Sequence, residues 1–337
     1  MNKIVKAPKE ELTLICLAHR TKELIPIQLD DQLHYGTTRS QIDRWLDNDS
    51  PIILSLHGGP GASEIPFLHS TDGILEQHFI VVHYDQRSAG KSCKFHDDGA
   101  ELTIEQHVND AMHMVLYLRE RFRKEKIYLI GGSWGSVLAL LLARDYPHLF
   151  HHVAVRGIVV KTAESEVLSN QFISTKFPNE FVPYPLPYGD RIEDMVDQRG
   201  WLYRAGGMVH QRCSEGKCSK YDLTLRFLKA VLTSPEYSWA DVVRFKKCYM
   251  STLKRLWPMA EKFDAVKQVP KLDVPLLVLH GRHDHCTDHK LVEPYFNVLE
   301  APSKRLVWFE DSAHSPMAEE PVKFASVLIQ EFLHTKI

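Results

Sequence analysis

Residues 127–146 read IYLIGGSWGSVLALLLARDY, a glycine-rich segment between two apolar runs. The apolar run Ile127 to Ile130 predicts a buried strand, and the apolar run from Val137 predicts a helix directly after it. Between them lies the pattern Gly-x-Ser-x-Gly, centred on Ser133. At a sharp turn from strand to helix this pattern exposes a serine hydroxyl, and the helix N-terminus adds a positive field beside it. Ser133 is therefore a candidate nucleophile.

Further apolar runs on both sides of this stretch predict a mostly parallel sheet. Short runs rich in β-branched residues are typical of strands buried on both faces. They are Ile52 to Leu56, Phe79 to Tyr84, Val153 to Ile158, Leu276 to His280 and Arg305 to Phe309. Helical spacing over Thr103 to Arg123, with Thr103 and Gln106 as a capping box, places a helix between two of these strands. Leu12 to Ala18 and Glu23 to Tyr35 predict an antiparallel lead-in.

The alternation of strands and helices stops for about a hundred residues. Residues 160–261 are rich in aromatic side chains and lack strong strand signals, so they predict a helical cap inserted into the sheet domain. The sheet resumes at Leu276, and a closing helix is expected from Ala318 to Leu333. The resulting organisation is an α/β core over residues 1–159 and 262–337, with a doubly wound sheet, and a cap over 160–261.

Composition and charge exclude several classes of protein. The 337 residues are 44% hydrophobic and carry a net charge of −2 without any block of one sign, which argues against disorder and against a nucleic-acid partner. The longest apolar stretch, Val137 to Ala143, is far shorter than the ~20 residues of a membrane span. Six scattered cysteines predict free thiols and a cytoplasmic protein rather than a disulfide framework: Cys16, Cys93, Cys213, Cys218, Cys248 and Cys286.

A serine nucleophile needs a base, an acid that orients the base, and donors for the oxyanion. Asp284 and His314 each follow a predicted strand, in the chain order that this architecture uses, and both loops open at the sheet edge where Ser133 lies. The backbone N–H of Trp134 is one expected oxyanion donor. Because Pro60 has no N–H, Gly59 is the most plausible second donor.

Other residues near these positions are weaker candidates. His280, His283, His285 and His289 crowd the loop of the acid itself, which favours His314 as the base. Asp288 and Asp311 are the rival acids, and Asp311 lies too near His314 along the chain to reach it easily. No metal or organic cofactor is required for this chemistry.

Five motifs together carry a family resemblance: residues 57–61 (HGGPG), 84–92 (YDQRSAGKS), 131–136 (GGSWGS), 281–284 (GRHD) and 312–316 (SAHSP). On them the chain resembles the α/β-hydrolase superfamily, and within it the proline iminopeptidase-like serine hydrolases. The resemblance implies a triad of Ser133, Asp284 and His314, backbone donors at Gly59 and Trp134, and a helical cap over the site. Arg87 is expected to be a scaffold residue that holds Asp85 or backbone carbonyls.

The substrate is left open by these patterns. The tryptophan- and glutamate-rich cap pattern of true proline iminopeptidases, which grips a free amino group, is absent. Glu164 and Glu166 are the best substitutes, and Trp201 and Trp239 are candidate substrate contacts. Three functions compete: hydrolysis of a small amide or peptide, hydrolysis of an ester or lactone without aminopeptidase activity, and ligand binding by a receptor that lost turnover. The expected partner is a small molecule or short peptide.

Overall fold

A computed structural model describes residues 11–18, 21–28, 50–70, 73–93, 102–213, 218–234 and 237–334 of the chain. Its eight strands form one sheet in the order β2-β1-β4-β3-β5-β6-β7-β8. The strands are β1 (Glu11–Ala18), β2 (Thr21–Gln28), β3 (Ile52–Leu56), β4 (Ile80–Asp85), β5 (Ile127–Gly132), β6 (Phe150–Arg156), β7 (Leu276–Gly281) and β8 (Lys304–Phe309).

Six of these strands are parallel, as the unbroken apolar runs predicted. Strand β3 lies between β4 and β5, and its Leu54 is in register with Val82 on one side and Leu129 on the other. Every residue of β3, β4 and β7 is buried, which is typical of strands covered on both faces. Strands β1 and β2 are antiparallel to each other, and β1 is antiparallel to β4. The predicted lead-in is therefore confirmed, while Tyr35 lies outside the described residues.

Eleven α-helices lie within the described part of the chain. They are α1 (Ile104–Arg121), α2 (Trp134–Asp145), α3 (Thr162–Lys176), α4 (Ile192–Arg204), α5 (His210–Cys213), α6 (Asp222–Thr233), α7 (Trp239–Ala260), α8 (Ala265–Gln268), α9 (Val292–Val298), α10 (Pro316–Glu319) and α11 (Pro321–Ile329). Helix α1 begins with the predicted capping box of Thr103 and Gln106. No described helix has both the length and the apolar character needed to cross a bilayer.

Alternate side chains of the strands point into two apolar layers, one on each face of the sheet. In β3, Leu54 belongs to the layer that contains residues of α1 and α2, whereas Ile53 belongs to the layer formed with α11. The sheet is thus covered by helices on both faces. This arrangement confirms the doubly wound α/β fold.

Helices α3 to α7 are inserted between β6 and β7, within the stretch that was predicted to be helical. An antiparallel bridge between Lys161 and Asp264 joins the two ends of the insertion. Helix α7 packs on the sheet domain, since its Leu253 and Leu256 belong to the same apolar cluster as Ile158. The α7 region also bonds to the loop after β4, where the Thr252 hydroxyl donates to the carbonyl of Ser88 over 2.7 Å.

The prediction of free thiols is wrong for four of the six cysteines. Cys93 is bonded to Cys248, which ties the loop after β4 to α7, and Cys213 is bonded to Cys218. Cys286 is free and buried, and the side chain of Cys16 lies outside the described residues. Cys93 and Cys248 are 155 positions apart along the chain, so only the packing of α7 on the core brings their sulfurs together.

Two other boundaries differ from the predictions. The closing helix is not continuous from Ala318 to Leu333, because Pro321 lacks an N–H donor and begins a new helix, α11. Strand β6 ends at Arg156 rather than Ile158. Beyond that point the amides of Ile158 and Val159 donate to side chains, the ring of His280 and the hydroxyl of Ser136, instead of a neighbouring strand.

Candidate active site

Ser133 lies at the turn between β5 and α2, as the pattern predicted. Its backbone has φ 52° and ψ −121°, a strained conformation for a residue with a side chain. The Ser133 amide donates to the carbonyl of Arg156 at the end of β6 over 3.0 Å. This turn holds the side chain at the carboxyl edge of the parallel strands.

Two glycines of the motif permit the close approach of α2 to the sheet. A Cβ atom on Gly131 would collide with the carbonyl oxygen of Gly135, and one on Gly135 would collide with the carbonyl oxygen of Leu56 in β3. Both obstacles are backbone atoms, so neither can move aside independently. Substitution at either position would therefore displace the turn that carries Ser133.

Asp284 and His314 meet at the same edge of the sheet. Asp284 follows β7, and His314 follows β8. His314 Nδ1 lies 2.8 Å from Asp284 Oδ2, and both residues are buried. Asp284 also accepts hydrogen bonds from the amides of Cys286 and Thr287 and from the Thr287 hydroxyl. These donors orient the carboxylate toward the imidazole.

Gly157 connects this pair to the serine turn. It follows Arg156, whose carbonyl accepts the Ser133 amide, and it has φ 50°. A Cβ atom on Gly157 would lie 3.0 Å from both Cε1 and Nδ1 of His314. The imidazole therefore rests against the backbone beside the serine turn. The serine turn, Asp284 and His314 thus follow three strands of the sheet, β5, β7 and β8, at the same edge.

The charges of this pair shift their pKa values in opposite directions. Burial disfavours the charged form of each group, but their mutual attraction outweighs it. The Asp284 carboxylate, with a further contribution from Cys286, raises the pKa of His314 well above its ordinary value. His314 and His280 in turn hold the pKa of Asp284 well below its usual range. The carboxylate is thus ionised at neutral pH.

This shift predicts the pH dependence of hydrolysis. A general base acts only when it is neutral, so kcat/KM is expected to rise with pH through the raised pKa of His314, with its acidic limb above pH 6.5. The measurement is kcat/KM from about pH 5 to about pH 10, with Asp311→Asn as the control, because Asp311 is exposed. A limb at or below pH 6.5 would show that the pKa of His314 is not raised, and a profile without an acidic limb would contradict His314 as the base.

The neighbouring histidines have other partners. The ring of His280 accepts the amide of Ile158 on Nδ1 and contacts the carbonyl of Thr287 with Nε2, and burial lowers its pKa to about 4. His283 stacks on His210 with ring centroids 3.5 Å apart. Of the rival acids, Asp288 contacts His285, and Asp311 is exposed. Two of these histidines thus lie beside the Asp284 carboxylate: His314 Nδ1 is 2.8 Å from Oδ2, and His280 Nε2 is 3.4 Å from the same atom. Only His314 forms a hydrogen bond with it among the described residues.

The predicted oxyanion loop follows β3 directly. The amide of Gln86 donates to His57 Nε2, so the His57 ring donates from Nδ1 to the carbonyl of Gly58. Burial lowers the pKa of His57 to about 4, which keeps the ring neutral. Gly59 has φ 121°, a conformation that favours glycine. These contacts fix the backbone of the loop that was predicted to supply an N–H donor.

Gln86 links this loop to the serine turn, a role that the sequence analysis missed. Its side-chain nitrogen donates to the carbonyl of His57 over 2.9 Å, and its side-chain oxygen accepts the indole N–H of Trp134 over 3.1 Å. The two elements expected to carry the oxyanion donors are therefore joined through one buried amide. Arg87, expected to hold Asp85 or backbone carbonyls, forms a buried two-bond ion pair with Asp110 of α1, which fits a scaffold residue.

Glu64 is a second residue that the sequence analysis missed. Its carboxylate forms an ion pair with Arg156, and its Oε1 accepts the amide of Gly58 over 3.4 Å. Its side chain is 18% exposed, so solvent reaches it. Burial opposes the charged form, but Arg156 holds the pKa of Glu64 below its ordinary value. Nothing in the local sequence distinguishes this glutamate from a surface residue.

The predicted cap residues occupy very different environments. Glu164 is exposed and pairs with Lys161, whereas Glu166 is buried and forms a two-bond ion pair with Arg199 of α4. Trp201 packs between Phe177 and Phe181, and Trp239 is 77% exposed at the start of α7. Of the two glutamates, only Glu166 points into the protein.

Comparisons with known proteins agree with this architecture. The family model for serine aminopeptidase, S33, matches residues 48–321. The chain is 30% identical to the probable aminopeptidase YbaC of Bacillus subtilis (strain 168), over 91% of this chain and 97% of that protein. It is 26% identical to the proline iminopeptidase of Lactobacillus crispatus (strain ST1), over 83% and 88% of the two chains.

The solved structures show the same fold at low sequence identity. The enol-lactonase from Burkholderia xenovorans LB400 is 17% identical, has a TM-score of 0.59 and aligns over 98% of this chain and 99% of its own. At this identity the likeness shows only that the fold is shared. The family match over residues 48–321 and the aminopeptidase relative at 30% identity also show the family. The chain therefore belongs to the serine aminopeptidase family of α/β-hydrolases and is a serine hydrolase.

Proposed function

We propose that the hydrolase works through an acyl-enzyme formed on Ser133. Ser133 Oγ attacks the substrate carbonyl while His314 takes the hydroxyl proton, which it then gives to the departing amine or alcohol as the scissile bond breaks. Water, activated by the same imidazole, then releases the acyl group, and Asp284 holds the imidazole and stabilises its charged form. The backbone N–H groups of Trp134 and Gly59 stabilise the oxyanion. The observation that carries the proposal is the 2.8 Å contact between His314 and Asp284, at the sheet edge where the strained Ser133 turn lies.

The proposed substrate is a small amide or peptide with a free amino group beside the scissile carbonyl. A buried ammonium needs a carboxylate, and Glu64 is close to the serine turn. A Cβ atom on Gly58 would lie 3.2 Å from Ser133 Cβ and 3.6 Å from Glu64 Oε1. The carboxylate and the proposed nucleophile therefore flank the same glycine, which suits an amino group adjacent to the acyl carbon. The relatives named as aminopeptidases support this reading.

Hydrolysis of an ester or lactone without aminopeptidase activity is the second candidate. The observation in its favour is that the two carboxylates considered for the substrate amine, Glu64 and Glu166, already have cationic partners. Glu64 pairs with Arg156, and Glu166 pairs with Arg199. A substrate ammonium would have to compete with those guanidinium groups, whereas a neutral acyl group would not.

Covalent labelling and a matched substrate panel test the proposed function. A fluorophosphonate should label the purified chain at Ser133, which peptide mass spectrometry locates. Alanyl-naphthylamide, its N-acetyl derivative and p-nitrophenyl propionate then compare an amide with a free amine, a blocked amide and an ester. Faster cleavage of the free amine than of its N-acetyl derivative supports aminopeptidase activity, and ester cleavage without turnover of either amide supports the alternative. Absence of both labelling and turnover would contradict hydrolysis on Ser133.

Glu64→Gln is expected to lower kcat/KM for the free-amine amide by about ten- to a hundredfold, because it removes one charge-assisted hydrogen bond. The ester without an amino group should change much less. Glu164→Gln is the matched control, since Glu164 is exposed and pairs with Lys161. Equal losses on amide and ester would show that Glu64 only supports the oxyanion loop. In that case its proposed contact with the amine is wrong.

Residues 160–261 are proposed to act as the cap that selects the substrate. The bridge between Lys161 and Asp264 closes the insertion close to these boundaries. The backbone amide of His314 donates to the carbonyl of Met208 over 3.1 Å, so the insertion contacts the loop of the proposed base.

A cytoplasmic location stays a prediction. Trapping the cysteine thiols with a maleimide in intact cells would test this location, because it would show whether the two disulfides are formed there.

A further inference from the structure

The loop after β7 carries a second cluster of polar side chains that acyl transfer does not use. His285, Asp288 and His289 each present one possible metal-ligand atom, and these atoms all lie within 4.8 Å of one another. His285 Nδ1 is 2.8 Å from Asp288 Oδ2, a hydrogen bond that an ion bound to both atoms would replace. The three residues follow the proposed acid, Asp284, within five positions of the chain.

The donor set selects a particular class of metal ion. Two imidazoles and one carboxylate suit zinc and neighbouring divalent transition metals, whereas Mg²⁺ and Ca²⁺ prefer oxygen ligands alone. Three protein ligands also leave one tetrahedral position for water. We propose that His285, Asp288 and His289 form a Zn²⁺ site that is separate from the serine chemistry.

Neighbouring groups already orient these side chains as ligands. The carbonyl of Asp284 can only accept, so His289 donates to it from Nδ1 over 3.1 Å, which leaves the lone pair on Nε2. Metal-binding histidines usually have such a backbone partner for the other ring nitrogen. The ring of His285 stacks on Phe172 of α3 with centroids 3.6 Å apart. Asp288 Oδ1 accepts the amide of Lys290 over 3.0 Å.

Exposure gives the ion a route to the site. Asp288 is almost fully buried, but the side chains of His285 and His289 are 13% and 23% exposed. His289 also lines a surface cleft of about 400 Å³ together with Glu293 and Trp308. The carboxylate is thus placed behind two imidazoles that solvent can reach.

The site lies where the insertion contacts the loop of the proposed acid. The Ser169 hydroxyl of α3 donates to the carbonyl of His285 over 2.5 Å, and the Ser165 hydroxyl accepts the amide of Asp288 over 3.3 Å. An ion bound here joins two ends of this loop while α3 holds the loop from the other side. Its expected effect is to stabilise the contact between the inserted helices and the core.

Titration of the metal-stripped full chain with Zn²⁺ by calorimetry tests the proposal. We expect one ion per chain, an increase in Tm on loading, and visible absorption typical of tetrahedral coordination when Co²⁺ replaces Zn²⁺. His289→Ala should weaken binding at least about tenfold and abolish the Tm increase. Asp288→Asn should weaken Zn²⁺ binding and abolish the Tm increase in the same way. Because two different ligands are then replaced, a folding defect in one variant cannot by itself explain the result. Circular dichroism checks that each variant is folded.

His283→Ala is the matched control, because His283 lies in the same loop but stacks on His210 outside the cluster. It should bind Zn²⁺ as the wild type does. The chain has 19 histidines, so adventitious binding is the alternative to exclude. Zinc uptake that is equal in wild type and His289→Ala, or no uptake by the wild type, would overturn the proposal. Fluorophosphonate labelling is read separately and reports on Ser133 alone.

Discussion

Replacing Ser133 with alanine is expected to lower kcat by about four to six orders of magnitude without unfolding the chain. The variant loses the nucleophile but keeps the proposed oxyanion donors and the binding contacts, which leave a small residual rate. The measurement is kcat for the best substrate of the panel, with circular dichroism as the check on folding.

Ser136→Ala is the matched control for this experiment. Ser136 lies on the same turn, where its hydroxyl donates to the carbonyl of Ser133 over 2.6 Å and accepts the amide of Val159. Its loss should affect stability more than chemistry, so the folded variant should still react with a fluorophosphonate. Wild-type turnover by Ser133→Ala, or labelling that persists in it, would rule out Ser133 as the nucleophile.

Asp284→Asn is expected to lower kcat by about four orders of magnitude. An amide at this position no longer stabilises the imidazolium, and it can present an N–H to Nδ1, which favours the wrong tautomer of His314. The acidic limb of the pH profile should also move to lower pH, because the carboxylate that raises the pKa of His314 is gone. Steady-state kinetics across the pH range measure both effects.

Asp311→Asn and Asp288→Asn complete this comparison. Asp311 is exposed and Asp288 contacts His285, so each variant should lose far less activity than Asp284→Asn. A larger loss in Asp311→Asn than in Asp284→Asn would show that the loop after β8, rather than the loop after β7, supplies the acid. The shift of the pH limb separates loss of the orienting carboxylate from a general loss of stability.

The sheet was predictable because its strands carry strong local signals. Runs such as Ile52 to Leu56 are buried at every position and apolar at all but Ser55, since parallel strands are covered on both faces. The glycines beside Ser133 marked the turn, because only glycine lets α2 approach the backbone of β3 and β5 so closely. The order of Asp284 and His314 along the chain predicted that they meet, because parallel strands place their carboxyl ends at one edge.

Contacts between distant segments could not be predicted in this way. Cys93 and Cys248 are paired only because α7 packs on the loop after β4, and no local pattern reports that contact. The same holds for Glu166, whose buried ion pair with Arg199 separates it from the exposed Glu164 two positions away. Two positions along an α-helix rotate a side chain by about 200°, so the two glutamates face opposite sides of α3, and position along the chain alone could not show which one is buried.

From the sequence we could predict the buried strands, the order of the motifs along the chain, the serine turn and the residues expected to lie near it. The order of the strands in the sheet and the charged groups that meet at its edge are seen only in the folded chain. Glu64 reaches the amide of Gly58 and pairs with Arg156, 92 positions away, and Gln86 bridges the loop of His57 to Trp134. A strand or a helix can be predicted because backbone geometry and burial repeat along the element and leave a pattern in its residues. Which side chains pair with each other depends on how distant segments pack, and that packing exists only in the folded chain.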